Sequence, residues 1–225
     1  MLLNFYRSTI GKKIIMGVTG LIGIGFLILH VAGNLQAFEG ASKLNDYSAM
    51  LHGPAGELLW VVRVVLIVAV VLHVLMAYQL TRISAAARPI GYQRREPQVS
   101  TIAARTMKWG GVLLLVFIVF HILHFTTQTI DPGGWRGVTD SQGNRDVYGN
   151  IVASFRVWWV SLFYIVSMIA LGLHLYHGAW SSVRTLGYAK SSPAPLHRKI
   201  ALVVAVVLWL GFTIVPVGVL AGVIR

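Results

Sequence analysis

The chain has 225 residues, of which 56% are hydrophobic and 12% charged, with no cysteine and a formal net charge of +12. It is far more apolar than an ordinary globular domain, and the missing thiols exclude disulfides, thiolate-held iron–sulfur clusters and covalently attached haem. No soluble basic domain carries the positive excess, which argues against nucleic acid as its partner.

Five apolar stretches, over about 14–36, 58–80, 109–129, 157–180 and 200–224, are predicted to cross a membrane. Each is close to the ~20 residues that span ~30 Å of hydrocarbon. The fold expected is an all-α bundle of five transmembrane helices forming a single domain over 1–225. The first stretch reads as a true span and not a cleaved signal, because Thr19, Gly20, Gly23, Gly25 and His30 interrupt it and residues 34–38 supply no cleavage site.

The connections differ in character. Residues 38–57, with Asn45, Asp46, Gly53 and Pro54, read as a loop. Between the second and third spans, residues 84–105 contain Arg88-Pro89-Ile90-Gly91-Tyr92, a helix-breaking turn in a segment long enough to be a docking surface. Residues 131–155, which include Asp131-Pro-Gly-Gly, Asp140 and Gly143, again read as a loop.

Because crossings alternate, residues 1–13, 81–108 and 181–199 share one side. They hold thirteen of the nineteen Lys+Arg, among them Lys12, Lys13, Arg82, Arg94, Arg95 and Lys199, but one of the seven acids. By the positive-inside rule that side is cytoplasmic, which puts the N-terminus inside and the C-terminus on the outer side of a bacterial inner membrane. The basic face suits anionic lipid and the underside of a docked cytoplasmic subunit.

His30, His73, His121 and His174 fall one apiece in the first four spans. An imidazole within a bilayer needs a partner. At 1.5 Å per residue, His30 and His121 lie about 9 and 12 Å from the outer ends of their helices, while His73 and His174 lie about 22 and 25 Å from theirs. The first two are predicted to meet across one b haem and the second two across another, about 13 Å nearer the cytoplasm. Small or hydroxyl residues cluster around the directions of two of these histidines: Thr19, Gly23 and Gly33 near His30, and Ser167, Ala170, Gly178 and Ser181 near His174. Any one of the four could instead hydrogen-bond across a helix interface; four at matched depths favour ligation.

His124 and His177 follow at i+3 on nearly the same faces, and are alternative ligands or partners for a haem propionate or a quinone. A dinuclear metal site would require carboxylates, which these spans lack. Arg63 either snorkels to the outer interface or pairs with a propionate or quinone. Arg156 and Arg184, at the outer and inner ends of the fourth span, are placed for the carboxylates of the haem on their own side. Thr19 is a further contact candidate, His52 and Glu57 are quinone-site candidates, and His197 reads as a solvated loop residue.

Four motifs carry a resemblance: Thr19-Gly20-Leu21 leading to His30-Val-Ala-Gly-Asn34, His73 followed by Gln79-Leu-Thr-Arg82, Phe120-His121-Ile-Leu-His124-Phe125, and His174-Leu-Tyr-His177-Gly178-Ala-Trp180-Ser181. Together they resemble the cytochrome b558 subunit of succinate dehydrogenase/fumarate reductase over all five spans. The resemblance implies that His30 and His121 bind a distal haem and His73 and His174 a proximal one, and it prefers His174 to His177. It also implies a flavoprotein and an iron–sulfur protein as cytoplasmic partners; menaquinone is the substrate expected, and whether the complex forms a higher oligomer is left open by the sequence. No dicarboxylate chemistry would reside in this chain. Some family members carry a glutamate two residues before the fourth-span ligand as a proton route, where this chain has Gly172. The competing expectations are the cytochrome b subunit of a hydrogenase, nitrate reductase or formate dehydrogenase, which would place more than one ligand on a helix, and a non-redox transporter or scaffold.

Overall fold

A computed structural model describes residues 2–87, 101–188 and 195–225. The turn at Arg88–Tyr92, together with Arg94 and Arg95, lies outside the described residues. Five helices are long and apolar enough to cross a membrane: α2 (Thr9–Leu35), α4 (Gly56–Ala86), α5 (Ile102–His121), α7 (Trp158–Thr185) and α8 (Pro195–Leu220). A short α1 (Leu2–Arg7) precedes them.

Helix starts are set by side chains that satisfy otherwise orphaned backbone N–H groups. The Ser8 hydroxyl accepts from Gly11 N–H at 2.9 Å to open α2, and the Thr101 hydroxyl accepts from Ala104 N–H at 3.2 Å to open α5. α4 runs past its apolar stretch to Ala86, and on this extension Gln79 donates to the Tyr6 hydroxyl at 3.0 Å and Arg82 to the Tyr78 hydroxyl at 3.0 Å.

Two segments expected as loops contain helices. Residues 38–57 hold α3 (Ala41–His52), and residues 131–155 lead into α6 (Val147–Arg156). Asp146 ties them together. Its carboxylate caps α6 by accepting from Gly149 N–H at 2.9 Å, and also accepts from Asn45 Nδ2 of α3 at 2.9 Å and from Trp135 Nε1 at 3.1 Å. Asn45 Oδ1 in turn accepts from Tyr148 N–H at 3.0 Å. Only glycine fits at 149, since an added Cβ would run into the Asp146 carboxylate and the Trp135 indole. Burial works to raise the Asp146 carboxyl, but the N–H donors from Gly149, Asn45 and Trp135 outweigh it and hold the group below the usual carboxylate range.

The packing order fixes the site. α4 lies along α2, α2 along α7, and α7 along both α5 and α8, while α8 also touches α2. α2, α4, α5 and α7 therefore form a square whose α4–α5 edge is not closed by comparable packing among the described residues. α8 buttresses the α2–α7 side through Val31, Leu175, Ala205 and Leu208. At Gly172 an added Cβ would sit 3.2 Å from Trp209 Cβ, so this position serves the close approach of α8. Large apolar side chains such as Trp60, Ile67, Trp109 and Val203 are exposed around the bundle. That is the pattern of a surface solvated by lipid. The chain is an all-α, multi-pass membrane protein. We call the bundle end that bears the N-terminus the N-side and the other the C-side.

Candidate functional site

Both diagonals of the square carry a histidine pair. His30 of α2 faces His121 of α5, ring centres 5.8 Å apart, and His73 of α4 faces His174 of α7, ring centres 6.1 Å apart. An imidazole nitrogen lies about 2 Å from a first-row metal ion it binds, so two imidazoles on opposite sides of one ion have ring centres about 6 Å apart.

The pairs stand at different levels. On α2, Thr19 meets His73 and lies eleven residues, about 16 Å, before His30. On α7, Tyr164 meets His121 and lies ten residues, about 15 Å, before His174. Two helices thus agree on a separation slightly larger than the 13 Å read from sequence. Thr19 belongs to the N-side level with His73, although it shares the angular direction of His30 that helical phase gives it. Eleven residues bring the helix back to a similar angle, but three turns away.

On the N-side, His73 Nδ1 is 3.0 Å from the Met16 carbonyl and 3.3 Å from the Thr19 hydroxyl. A carbonyl only accepts, so Nδ1 carries the proton and Nε2 keeps its lone pair. Gly20 permits this approach: a Cβ there would lie 3.3 Å from His73 Cε1. His174 Nδ1 is buried and has no hydrogen-bond partner among the described residues. A groove of about 280 Å³ between α5 and α7, lined by Met107, Gly110, Ala170 and Leu173, reaches His174.

On the C-side, His30 stacks on Phe26 with ring centres 5.1 Å apart, and His121 on Phe117 at 5.6 Å. His121 Nδ1 is 3.2 Å from the Tyr164 hydroxyl. The same hydroxyl is 3.0 Å from Nδ1 of His124, whose Nε2 is 2.9 Å from the Ser154 hydroxyl. His124 is 1% exposed and both its nitrogens are engaged. His121 and His124 thus meet one hydroxyl, as side chains on nearly the same face can, and α5 ends here in a π-helical turn, Ile122–Thr126, from which His124 also reaches Ser154 of α6. Arg145 helps hold that turn by donating to the Phe125 carbonyl at 3.2 Å and the Thr126 carbonyl at 3.3 Å.

The other sequence candidates disperse. Exposed His52 and half-buried Arg63 come together, with Arg63 Nη2 3.4 Å from His52 Nε2 while His52 Nδ1–H donates to the Ser48 carbonyl at 2.9 Å. Arg63 also lies over the Trp60 ring. Burial and the charge of Arg63 both depress the Arg145 guanidinium, so these two cations neighbour each other at the C-side. Exposed Glu57 lies in the first turn of α4. Arg156 ends α6, before α7 begins, and faces a surface cleft of about 210 Å³ with Trp135, Tyr148 and Arg225. Arg184 packs over Trp180, which Arg198 also covers. His177 is half-buried and takes no part in the His73–His174 pair. His197 Nδ1 is buried and has no hydrogen-bond partner among the described residues, unlike the solvated nitrogen expected of a loop residue.

Sequence reasoning missed Met16, Tyr164, Ser154, Asn150 and Arg145. Asn150 and Ser154 left a faint signal, two polar residues at i, i+4 among Ile151, Val152 and Phe155. The fold and site together define a multi-pass helical membrane protein with two intramembrane histidine pairs stacked across its thickness. No family model, curated protein or solved structure matches the chain.

Proposed function

We propose that the chain is the membrane-anchor cytochrome b subunit of a succinate:quinone oxidoreductase, a succinate dehydrogenase or fumarate reductase. The observation that carries this reading is the pair of diagonal imidazole couples, each at a metal-spanning separation and about 15 Å apart along the bundle. His30 and His121 would hold one haem b, and His73 and His174 the other. The donor set fits: on His73 and His121 the Nδ1 atom is occupied by an oxygen, which directs Nε2 across the bundle in the manner of metal-bound histidines. Glycines 23, 110 and 178 leave open space where a Cβ would meet nothing within 4 Å, and the unclosed α4–α5 edge leaves room for a flat ring.

When bound, the haems supply one-electron carriers between a cytoplasmic iron–sulfur protein, itself fed by a flavoprotein, and menaquinone in a bacterial inner membrane. The chain's residues fix the height and orientation of the ligands and exclude water around them. Arg63, Arg145 and His52 put cationic and hydrogen-bonding groups at the C-side, suited to propionates or a quinone carbonyl. Lys12, Arg82, Arg184 and Arg198 make the N-side basic, suited to the cytoplasmic partners and anionic lipid. A hydrogenase-type arrangement with two ligands on one helix is disfavoured on α5, because both nitrogens of His124 are engaged.

The test is a reduced-minus-oxidised spectrum of the purified full-length chain in its complex, with haem quantified per chain and succinate as reductant. Two b haems per chain, reducible by succinate and reoxidised by a menaquinone analogue, are expected. A preparation without a visible haem band would overturn the reading.

A further inference from the structure

The C-side network has a direction that follows from its chemistry. The Ser154 hydroxyl donates to Asn150 Oδ1 at 3.0 Å, so its oxygen is left to accept. His124 Nε2, 2.9 Å away, therefore carries the proton, and the neutral ring leaves His124 Nδ1 as an acceptor. That nitrogen can be satisfied only by the Tyr164 hydroxyl proton, 3.0 Å away. The Tyr164 oxygen, with its proton committed, then accepts from His121 Nδ1–H at 3.2 Å.

Every link but the last is sealed. Asn150 is 4% exposed, Ser154 0%, His124 1% and Tyr164 6%, inside a shell of Phe120, Phe125 and Phe155. A polar group buried this deeply would be costly if a link reversed and left two donors or two acceptors facing each other.

We infer that His124 is a positioning residue: through Tyr164 it fixes the Nδ1–H tautomer of His121, aims Nε2 at His30, and sets the electron-donating strength of the His121 imidazole toward whatever metal the pair binds. The inference rests on the haem reading above and extends it to residues that bind no metal. An imidazole whose Nδ1–H is accepted by an oxygen is a more basic ligand, which favours the oxidised iron. Weakening that acceptor raises the potential of the C-side haem and leaves the N-side haem alone, since His73 is oriented by the Met16 carbonyl.

The experiment is a potentiometric titration of both haems, with low-temperature EPR of their oxidised forms, on the intact complex in membranes. Tyr164→Phe and His124→Phe keep the ring volume and remove the relay. Each is expected to raise the reduced-to-oxidised ratio of the C-side haem about tenfold at fixed ambient potential, ~59 mV for one electron, and to move its EPR signal. His124→Gln, whose amide can donate to Ser154 and accept from Tyr164, is expected to restore both values, which a space-filling role would not. A C-side potential unmoved by His124→Phe, or equally displaced by His124→Gln, overturns the relay. Should His124→Phe fail to assemble, the other two variants decide: Tyr164→Phe must raise the potential and His124→Gln must hold it, and the reverse overturns the inference. A complex lacking two haems sinks the parent reading instead, so the two failures are distinguishable.

Discussion

The two histidine levels are built by different means. On the N-side, His73 takes its orientation from a main-chain carbonyl of a neighbouring helix, and His174 Nδ1, beside an open groove, has no partner among the described residues. On the C-side, His121 is set by a chain of four buried side chains within an aromatic shell, under a lid formed by α3 and α6. A backbone acceptor survives most mutations, whereas a side-chain relay can be broken at each link. The N-side ring should tolerate substitution around it, and the C-side ring should not.

The largest effect should come from the ligands themselves. His73→Ala and His174→Ala are each expected to abolish the same one of two spectroscopic haems, and His30→Ala and His121→Ala the other, read from the redox difference spectrum of membranes. Loss in any other combination would break the two-level comparison.

Next in size is Gly172→Leu. Its Cβ begins 3.2 Å from Trp209 Cβ and the side chain must displace α8, so a loss of about 1–3 kcal/mol is expected, measured as a lower thermal midpoint in detergent. Combining it with Trp209→Ala should recover part of the loss.

Asp146→Ala removes the α6 cap and two further acceptor contacts. It is expected to loosen the C-side lid by about 1–2 kcal/mol, seen as faster amide hydrogen exchange in α3 and α6 with the N-side helices unaffected. Because the folded carboxyl is depressed, its contribution is fully present above the ordinary carboxylate value of about 3.9 and is lost as pH falls through the lower folded value. Protection of the α6 amides, with exchange rates corrected for their intrinsic pH dependence, should therefore fall below about pH 4 in the wild type and stay flat there in Asp146→Ala.

Smallest is Thr19→Val. The Met16 carbonyl still orients His73, so the N-side haem should be retained with a stability change under about 1 kcal/mol. A loss of that haem would show that the hydroxyl, and not the carbonyl, is the true anchor.

Much of the architecture was legible in the linear chain. Continuous apolar stretches announce crossings because lipid satisfies no backbone hydrogen bonds, and a fixed 1.5 Å rise turns residue number into depth. That arithmetic was enough to pair His30 with His121 and His73 with His174. Phase alone left the level of Thr19 open, because helical phase repeats and depth does not. α3 and α6 were hidden because short amphipathic helices rich in Asn, Ser and Gly look like loops until a partner such as Asp146 fixes them. The partners of His124 were hidden because Tyr164 and Ser154 lie 40 and 30 residues away in the chain.

By itself, then, the order of residues determined the number of crossings, the lopsided distribution of cations and the depth of each histidine, since all three depend on distance along a rod. Which rods lie diagonal to one another, which edge of the square stays open and which nitrogen of each ring is free were decided only in three dimensions. Those depend on contacts between residues far apart in the chain, such as Met16 with His73 and Tyr164 with His121, and no local period encodes them.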